Sequence, residues 1–382
     1  MDAASSEALA YLDTIAYGAP YKTLKAPSKF WVRKQTHKGS NGKTVSIPDA
    51  DLTGKWVVIS GSNNGIGLEA ASQFARWGAN IVLACRNLPP NSRETPPESA
   101  KWHVTTEARK AGHKDTSVEW WELDMANLAS VESFAQRWLD TGRPLDILCN
   151  NAGMGSSPGF NKVFKTKDGF EIIHQVNFLS HALLTLRLLP SLAAASEPRV
   201  VCTTSCFHFP GIFDIPNWNG ENGKTGQGGV QFYMNNKLYF QTWLTELQYR
   251  LLQHDEYKHI TINGVHPGYV NSGVWNLNGS PRPIQEGALK VLAWFLAINT
   301  QQGSLCITNA ATSLDAGPDP KVQGVGKEGG KGGGRYFNRI WEDTPMPHTK
   351  DRDCRVRVWR KAAEELKLQE KGLLDVLGLK AT

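Results

Sequence analysis

The chain is predicted to be an α/β protein, a single domain built on a doubly wound parallel sheet, with extensions at both ends. Two observations predict this class, and a third bears on the chemistry of the site. Short apolar runs, each suited to a buried strand, alternate with stretches of helical periodicity from residue 51 onward. A glycine-rich turn at 60–67 joins the first strand to the first helix. Further along, Tyr233 and Lys237 stand at helical spacing, so their side chains face one spot.

Strands and helices are expected to alternate along the chain. The first unit is a strand at 56–59, a helix at 66–77 that Gly78 ends, and a second buried strand at 81–85. Later strands are expected at 118–123, 145–149, 199–203 and 260–265, with helices at 128–139, 168–189 and 232–254. Pro190 is expected to end the second of these helices. Such units build parallel sheets, which bind ligands beyond the carboxyl ends of their strands.

Three segments divide the chain. Residues 1–50 are expected to form an N-terminal extension, 51–345 the main domain, and 346–382 a helical tail with one charged helix at 352–377. Prolines break any periodicity in the extension, and three alternatives stay open for it: it packs on the main domain, lies on a membrane or is disordered. The segments 87–99 and 324–334 are rich in Pro and Gly, and we expect both to be surface loops.

The composition is that of a soluble globular protein, with 40% hydrophobic and 20% charged residues among 382. The net charge of +6 comes without a nucleic-acid-binding motif, so no nucleic-acid partner is expected. That charge also suits a phosphorylated cofactor or an anionic membrane surface. The six cysteines lack zinc-ribbon spacing, so we expect no metal site.

The expected location is the cytoplasm, because no secretion signal opens the chain. No apolar run reaches the ~18–20 residues that a membrane span needs. The apolar stretch at 288–298 is expected to cover a pocket as a buried helix, with an interfacial helix as the alternative. Peripheral contact with a membrane therefore stays open, through this stretch or through the N-terminal extension.

The glycine-rich turn has the spacing GxxxGxG between a strand and a helix. Backbone amides at the start of that helix can bind a pyrophosphate, because the helix dipole favours negative charge there. Glycine lets the backbone turn tightly and approach the ligand. A purely structural turn is the alternative, but the context favours a dinucleotide cofactor. The residues expected to contact this cofactor are Gly61, Ser62, Asn63, Asn64, Gly65, Ile66 and Gly67.

Arg86 follows the second strand, where dinucleotide-binding folds often carry an acid that holds the ribose hydroxyls. A guanidinium binds a 2′-phosphate in a bidentate manner, whereas a carboxylate repels it. The sequence places no acid beside Arg86, so NADP(H) is the expected cofactor. The alternative is a solvated arginine at a strand end.

Tyr233 and Lys237 indicate proton transfer to or from an alcohol. A phenol has an ordinary pKa of ~10 and is a poor acid–base group near neutrality. A cation within ~4–6 Å favours the phenolate and lowers that pKa. We therefore expect Lys237 to lower the pKa of Tyr233 toward the working pH.

Taken together, the motifs resemble the short-chain dehydrogenase/reductase family, which has a Rossmann fold, over about residues 51–341. The match looks closest to its retinol-dehydrogenase-like branch and the fungal relatives of that branch. The stretches that carry the resemblance are the turn, Asn150-Asn151-Ala152-Gly153, Tyr233 with Lys237, Ala84-Cys85-Arg86, 176–181 and Tyr336-Phe337.

The resemblance implies a catalytic tetrad, Asn177, Ser205, Tyr233 and Lys237. Tyr233 would be the acid–base, and Lys237 would lower its pKa and hold the nicotinamide ribose. Ser205 would fix the substrate oxygen, and Asn177 would hold a water of a proton relay. The resemblance also implies an adenine contact at Asp124. The other implied cofactor contacts are Asn151, Ala152, Gly153, Pro267, Gly268, Val270 and Ser272, together with Tyr233 and Lys237 of the tetrad.

The chain departs from the family pattern at four positions. Ser60 and Ser272 replace threonines and keep the hydroxyl group. Thr204 precedes the catalytic serine where the family has a second serine. Asn236 stands where the family usually has a serine before the lysine.

The loop after Ser205 is aromatic and apolar, and we expect it to line a pocket above the nicotinamide. The residues concerned are Phe207, Phe209, Ile212, Phe213, Trp218 and, further on, Trp275. His208 is expected to be a hydrogen-bonded loop histidine rather than a second base.

The expected function is that of an NADP(H)-dependent oxidoreductase that interconverts a small hydrophobic ketone or aldehyde and the corresponding alcohol. The alternative is a catalytically inactive cofactor-sensing protein on the same fold. Relatives often dimerise through the helices expected at 168–189 and 232–254, so a homodimer is a further open alternative.

Overall fold

The computed structural model describes residues 27–39, 42–88, 92, 94–155, 162–223, 229–271, 297–317 and 332–377. Eight strands of these residues form one sheet in the order β3-β2-β1-β4-β5-β6-β7-β8. The strands are β1 Trp56–Ser60, β2 Asn80–Cys85, β3 Val118–Glu122, β4 Ile147–Asn150, β5 Arg199–Thr203, β6 Thr261–His266, β7 Tyr336–Asn338 and β8 Trp341–Asp343. The first seven run parallel, and β8 pairs antiparallel with β7.

The strand order reverses at β1, which pairs with β2 on one side and β4 on the other. Val57 lies opposite Ile81 and Ile147 in these two ladders. Helices cover both faces of the sheet, so its inner strands are buried on both sides and consist mostly of apolar residues. A crevice for ligands opens at such a reversal, beyond the carboxyl ends of the strands.

Helices cover both faces of the sheet. In chain order they are α1 Lys29–Lys38, α2 Gly65–Arg76, α3 Pro97–Lys110, α4 Leu128–Leu139, α5 Ile172–Ala193, α6 Val230–Leu251, α7 Thr300–Thr312, α8 Arg352–Glu365 and α9 Leu373–Val376. One core contains Phe74 of α2 and Ile307 of α7, with α3 beside them. The other contains Leu184 of α5, Trp243 of α6 and Trp359 of α8, with α4 beside them.

The doubly wound fold predicted from the sequence is confirmed, and most element bounds agree within a few residues. Three expectations were wrong. Pro190 does not end α5, because it lies in the last turn, where Ala194 N still donates to Pro190 O at 3.2 Å. The segment 87–99 is not a loop throughout, since α3 begins at Pro97. The charged terminal helix stops at Glu365, and Lys367 then adopts a left-handed φ of 51°.

Helix α5 contains one π-helical turn, Gln175–Leu179, near its start. By length and composition alone, α5 is long and apolar enough to cross a membrane, although it is not a continuous apolar run. Its apolar window is 78% buried inside the molecule. That burial is typical of a core helix in a globular domain, which passes the same test.

The N-terminal extension packs on the main domain where the structure describes it. Trp31 of α1 meets Phe209 edge to face with ring centroids 5.6 Å apart. His266 Nε2 and Gly39 O are 3.0 Å apart, and Lys38 Nζ lies 2.7 Å from Asp343 Oδ1. The alternatives left open for residues 1–26, and the expectations for 288–296 and most of 324–334, lie outside the described residues.

Candidate active site

The glycine-rich turn lies between β1 and α2 and is tied to the end of β4. The Ser60 hydroxyl accepts the backbone N–H groups of Asn151 and Ala152 at 2.9 and 3.0 Å. The Asn151 side chain in turn donates to Ser60 O at 2.9 Å. The predicted cofactor segments at 60–67 and 150–153 therefore form one wall, as their adjacent strands require.

Two of the three glycines are required because neighbouring atoms approach the backbone too closely to leave room for a side chain. A Cβ at Gly61, where φ is 65°, would lie 2.9 Å from Ala152 Cα. A Cβ at Gly67 would lie 2.3 Å from Gly61 O. Gly65 differs, because its φ of 57° again favours glycine but its missing Cβ would meet nothing within 4 Å. The turn thus packs closely against β4 on one side and is open at the start of α2.

The turn fits the pyrophosphate of a dinucleotide. Asn64 occupies the N-cap of α2 but makes no side-chain capping bond, so the first amides of the helix have no such acceptor. Buried Ser62 Oγ also has no hydrogen-bond partner among the described residues. An anion at the open side near Gly65 would supply acceptors to these groups and face the positive end of the helix dipole.

Arg86 follows β2 directly, as predicted, but an acid does lie beside it. Arg86 Nη2 is 2.5 Å from Glu94 Oε1. This acid comes from the segment that leads into α3, eight positions further along the chain, so the neighbouring sequence gave no sign of the contact. The expectation that no carboxylate accompanies Arg86 was therefore wrong in three dimensions.

Ser205, Tyr233 and Lys237 meet at the carboxyl end of β5. The Ser205 hydroxyl lies close enough to the Tyr233 phenol to lower the pKa of that phenol. Lys237 Nζ donates to Thr203 O at 2.7 Å and lies 5.6 Å from the centroid of the Tyr233 ring. The sequence did not single out Thr203, although it is the last residue of β5. The structure thus brings three of the four predicted tetrad members into one site.

Burial dominates the electrostatics of this site. It raises the pKa of the Tyr233 phenol, and the Ser205 hydroxyl lowers that pKa only in part. Burial also lowers the pKa of Lys237 from 10.5 to about 8. The expectation that the ammonium brings the phenol's pKa down was therefore wrong for the protein alone, because loss of water around the phenolate outweighs the favourable contacts.

Asn177, the fourth tetrad member, lies in the π-helical turn of α5. Its side-chain oxygen accepts from Met154 N and its amide donates to Met154 O, both at 2.8 Å. A Cβ at Gly153 would lie 3.3 Å from Asn177 Oδ1 and 3.8 Å from Lys237 Nζ. Asn177 thus clamps the loop after β4 beside the lysine. The role of Met154 was not predicted, because backbone groups leave no mark in the sequence.

Behind the loop after β4 lies a buried histidine that the sequence did not single out as a site residue. His181 Nε2 is 2.8 Å from Ala152 O, and Nδ1 is 3.3 Å from Asn150 Oδ1. Burial lowers the pKa of His181 to about 3, so its ring is neutral. His181 therefore orients the cofactor wall and carries no charge.

The remaining predicted cofactor contacts follow the carboxyl ends of β3 and β6. Asp124 comes two residues after β3, and its Oδ1 accepts from Ala126 N at 2.9 Å. Pro267 and Gly268 follow β6 directly. Beyond them Val270 packs towards the glycine-rich turn, since a Cβ at Gly303 would contact both Val270 and Ile66. Ser272 lies outside the described residues.

The aromatic loop after Ser205 was predicted to line a pocket, but two of its aromatic side chains are buried in the protein cores instead. Phe207 does lie beside Tyr233, with ring centroids 6.2 Å apart. Phe209 and Trp218 turn inward and are 1% and 0% exposed. They belong to the cores, where burial of large aromatic surface is most favourable. Trp275 lies outside the described residues.

His208 is a hydrogen-bonded loop histidine, as predicted. Its Nδ1 is 2.5 Å from Ser205 O, and its Nε2 accepts from Met346 N at 3.0 Å. Burial lowers its pKa to about 3. It therefore holds the serine loop in place as a neutral ring.

Comparison with known proteins gives the family. The family described as short chain dehydrogenase matches residues 55–281. Retinol dehydrogenase 14 of Homo sapiens is 30% identical over 318 residues, covering 81% of this chain and 85% of that protein. Polyprenol dehydrogenase of Mus musculus is 30% identical over 323 residues, covering 84% and 85%. Retinol dehydrogenase 13 of Mus musculus is 28% identical over 314 residues, covering 82% and 84%.

Solved structures share the fold. An uncharacterised protein from Mycobacterium Paratuberculosis aligns with a TM-score of 0.57 at 24% identity, covering 86% of this chain and 98% of that one. A 7α-hydroxysteroid dehydrogenase complexed with NADH aligns with a TM-score of 0.50 at 18% identity, covering 78% and 98%. With the family match and the site geometry, the conclusion is that this chain belongs to the short-chain dehydrogenase/reductase family of nicotinamide-dependent oxidoreductases and is similar to the retinol dehydrogenases.

Proposed function

We propose that the chain is an NADP(H)-dependent oxidoreductase that interconverts a hydrophobic ketone or aldehyde and the corresponding alcohol. The observation that carries this proposal is the placement of the Tyr233 phenol beside the Ser205 hydroxyl, with the buried ammonium of Lys237 5.6 Å from the centroid of its ring. The three groups lie next to the loop after β4, which closes against the glycine-rich turn.

The nicotinamide, when bound, supplies or accepts the hydride. The residues of the chain handle the oxygen and its proton. In the reducing direction the Ser205 hydroxyl donates to the carbonyl oxygen and holds it beside Tyr233. The Tyr233 phenol gives its proton to that oxygen, and the phenolate left behind is stabilised by the Lys237 ammonium. Asn177, fixed on Met154, is proposed to hold the water that returns a proton past Lys237.

For the cofactor, we propose NADP(H) because a guanidinium lies at the end of β2. Arg86 is 56% exposed in its side chain, so it is accessible to a 2′-phosphate. The pyrophosphate would bind at Gly65 and Ser62, and the adenine near Asp124. Reduction is the proposed direction in a cell that keeps this cofactor reduced.

The substrate is proposed to be apolar. Phe207 and Met154 pack in one cluster with Tyr233, so the surroundings of the phenol are hydrophobic. The names of the relatives point the same way, since retinol and polyprenol are alcohols with long hydrocarbon chains. We place the protein in the cytoplasm, with peripheral membrane contact through its N-terminal segment as the second proposal.

The test is a turnover assay on a panel of hydrophobic ketones and aldehydes, followed by NADPH absorbance. Tyr233→Phe should lower kcat/KM by about 10²–10⁴-fold, the usual contribution of a general acid, and leave NADPH binding unchanged. The matched control is Tyr249→Phe, the same change on the outer part of the same helix. Wild-type protein that binds NADPH but turns over no member of the panel would favour the cofactor-sensing alternative.

A further inference from the structure

The acid that meets Arg86 also reaches the glycine-rich turn. Glu94 Oε1 lies 2.5 Å from Arg86 Nη2. Its second oxygen, Oε2, accepts from Asn63 Nδ2 at 3.5 Å. One carboxylate therefore connects the guanidinium at the end of β2 with the turn expected to hold the pyrophosphate.

The segment that carries Glu94 is fastened to the same turn. Asn63 Nδ2 donates to Thr95 O at 3.0 Å, and Thr95 Oγ1 donates to Asn64 Oδ1 at 3.3 Å. Helix α3 begins two residues later. Backbone and side-chain contacts of the residue that follows Glu94 thus hold its carboxylate at Arg86.

The ion pair is accessible to water and to a ligand. The side chains of Arg86 and Glu94 are 56% and 37% exposed. Exposed pairs of this kind are weak, because water already solvates both charges. A 2′-phosphate is a stronger partner for a guanidinium than a carboxylate is, since both can bond in a bidentate manner but the phosphate carries more charge. The same phosphate is repelled by Glu94.

We propose that Glu94 is a specificity-determining residue that competes with the 2′-phosphate for Arg86 and narrows the preference for NADP(H) over NAD(H). The inference rests on the proposed function, because it concerns the choice of nicotinamide cofactor. NADPH has to displace Glu94 from the guanidinium, whereas NADH leaves the pair intact. The difference between the affinities for NADPH and NADH is therefore smaller in the wild-type chain than it would be if Arg86 had no carboxylate beside it.

The test compares cofactor binding to the wild-type chain, Glu94→Gln and Glu98→Gln. Glu98→Gln is the matched control, because Glu98 lies nearby on α3 and its substitution removes the same charge. Glu98 pairs with Lys101, at 3.6 Å. Dissociation constants for NADPH and NADH are measured by quenching of tryptophan fluorescence, and those for adenosine 2′,5′-bisphosphate and 5′-AMP by calorimetry. These readouts do not depend on turnover.

Glu94→Gln should tighten NADPH and adenosine 2′,5′-bisphosphate by about fivefold and change NADH and 5′-AMP by less than about twofold. Glu98→Gln should change none of them beyond about twofold. The gain for NADPH should shrink as the salt concentration rises, because the repulsion it removes is screened.

Two results would overturn the inference. Weaker NADH binding by Glu94→Gln with unchanged NADPH binding would show that the carboxylate holds the ribose hydroxyls instead. Unchanged binding of both cofactors would show that Glu94 does not compete at all. Failure of the proposed function looks different, since the wild-type chain would then either bind neither cofactor, or bind NADPH and turn over no ketone or aldehyde of the panel.

Discussion

At the scale of single residues, the chemistry of the site is set by burial. Lys237 is 4% exposed, and its ammonium donates to Thr203 O at 2.7 Å. Removing that ammonium from water lowers its pKa to about 8, while the same burial raises the pKa of Tyr233. A buried charge of this kind disfavours the folded state, so the lysine is present for its chemistry and not for stability.

Lys237→Met therefore has opposite expected effects on activity and on stability. Turnover should fall by about 10²-fold or more, because the phenolate loses its stabilising cation. Between about pH 8 and 10.5 the unfolded wild-type chain binds more protons at this lysine than the folded chain does, so wild-type stability rises with pH there. The variant lacks that dependence. The free energy of unfolding of the variant minus that of the wild type should be largest below pH 8 and should fall towards pH 10.5.

The measurement is urea unfolding of both proteins between pH 6.5 and 10, followed by circular dichroism. Other titrating groups are shared and cancel in the difference. Lys258→Met is the control, because this lysine is 49% exposed and pairs with exposed Asp255. Parallel pH profiles for wild type and Lys237→Met would contradict the prediction.

At the scale of elements, the N-terminal helix α1 forms part of the wall beside the site. The residue that follows it, Gly39, contacts the loop after β5 and the last residue of β6. A Cβ there would lie 2.5 Å from Cys206 Cβ and 2.8 Å from His266 Nε2. Cys206 is the neighbour of Ser205, so the position of α1 bears directly on the catalytic loop.

Neighbouring residues of α1 provide a test of that contact. Trp31 packs on Phe209, whereas Phe30 is 80% exposed. Trp31→Ala should lower the free energy of unfolding by about 1–3 kcal/mol, because it removes partly buried aromatic surface. It should also raise KM for hydrophobic substrates. Phe30→Ala should stay within about 0.5 kcal/mol of wild type. Thermal and urea unfolding measure both, and equal losses in the two variants would show that α1 does not support the wall.

The elements also show which sequence patterns predict structure. Helix α4 was predicted with its observed bounds, because its apolar residues recur at helical spacing. Helix α3 was missed, although its buried residues Ala100, Val104 and Ala108 recur every four positions. Two of them are alanines, whose small side chains make the hydrophobic periodicity of this helix weak. Helix α7 was missed because small and polar residues fill it, among them Gly303, which packs against Val270.

At the scale of the whole molecule, the C-terminal helix α8 covers the helix that carries the catalytic pair. Trp359 of α8 stacks on Trp243 of α6 with ring planes at 8°. At the end of α8, Glu365 lies 2.9 Å from His174 of α5, and Trp218 donates to the same carboxylate at 2.7 Å. This arrangement occupies the outer face of α6, through which a homodimer had been an open alternative.

We therefore expect the full chain to be a monomer at micromolar concentration. Sedimentation equilibrium should give a mass near 42.1 kDa that does not change with protein concentration. A mass twice as large would mean that a second copy binds on another surface or that α8 leaves α6. Limited proteolysis after Glu365, in the turn that contains Lys367, would distinguish these two cases.

The order and spacing of the functional side chains can be read directly from the sequence. Buried parallel strands are mostly apolar, so their positions and the turn after β1 could be predicted from local patterns, whereas the full tetrad was implied by the family resemblance. The partner of Arg86, the inward turn of Phe209 and Trp218, and the coverage of α6 by α8 were decided only by the tertiary structure. Each is a contact between segments distant in the chain, chosen by shape and burial, and no local periodicity encodes such a choice.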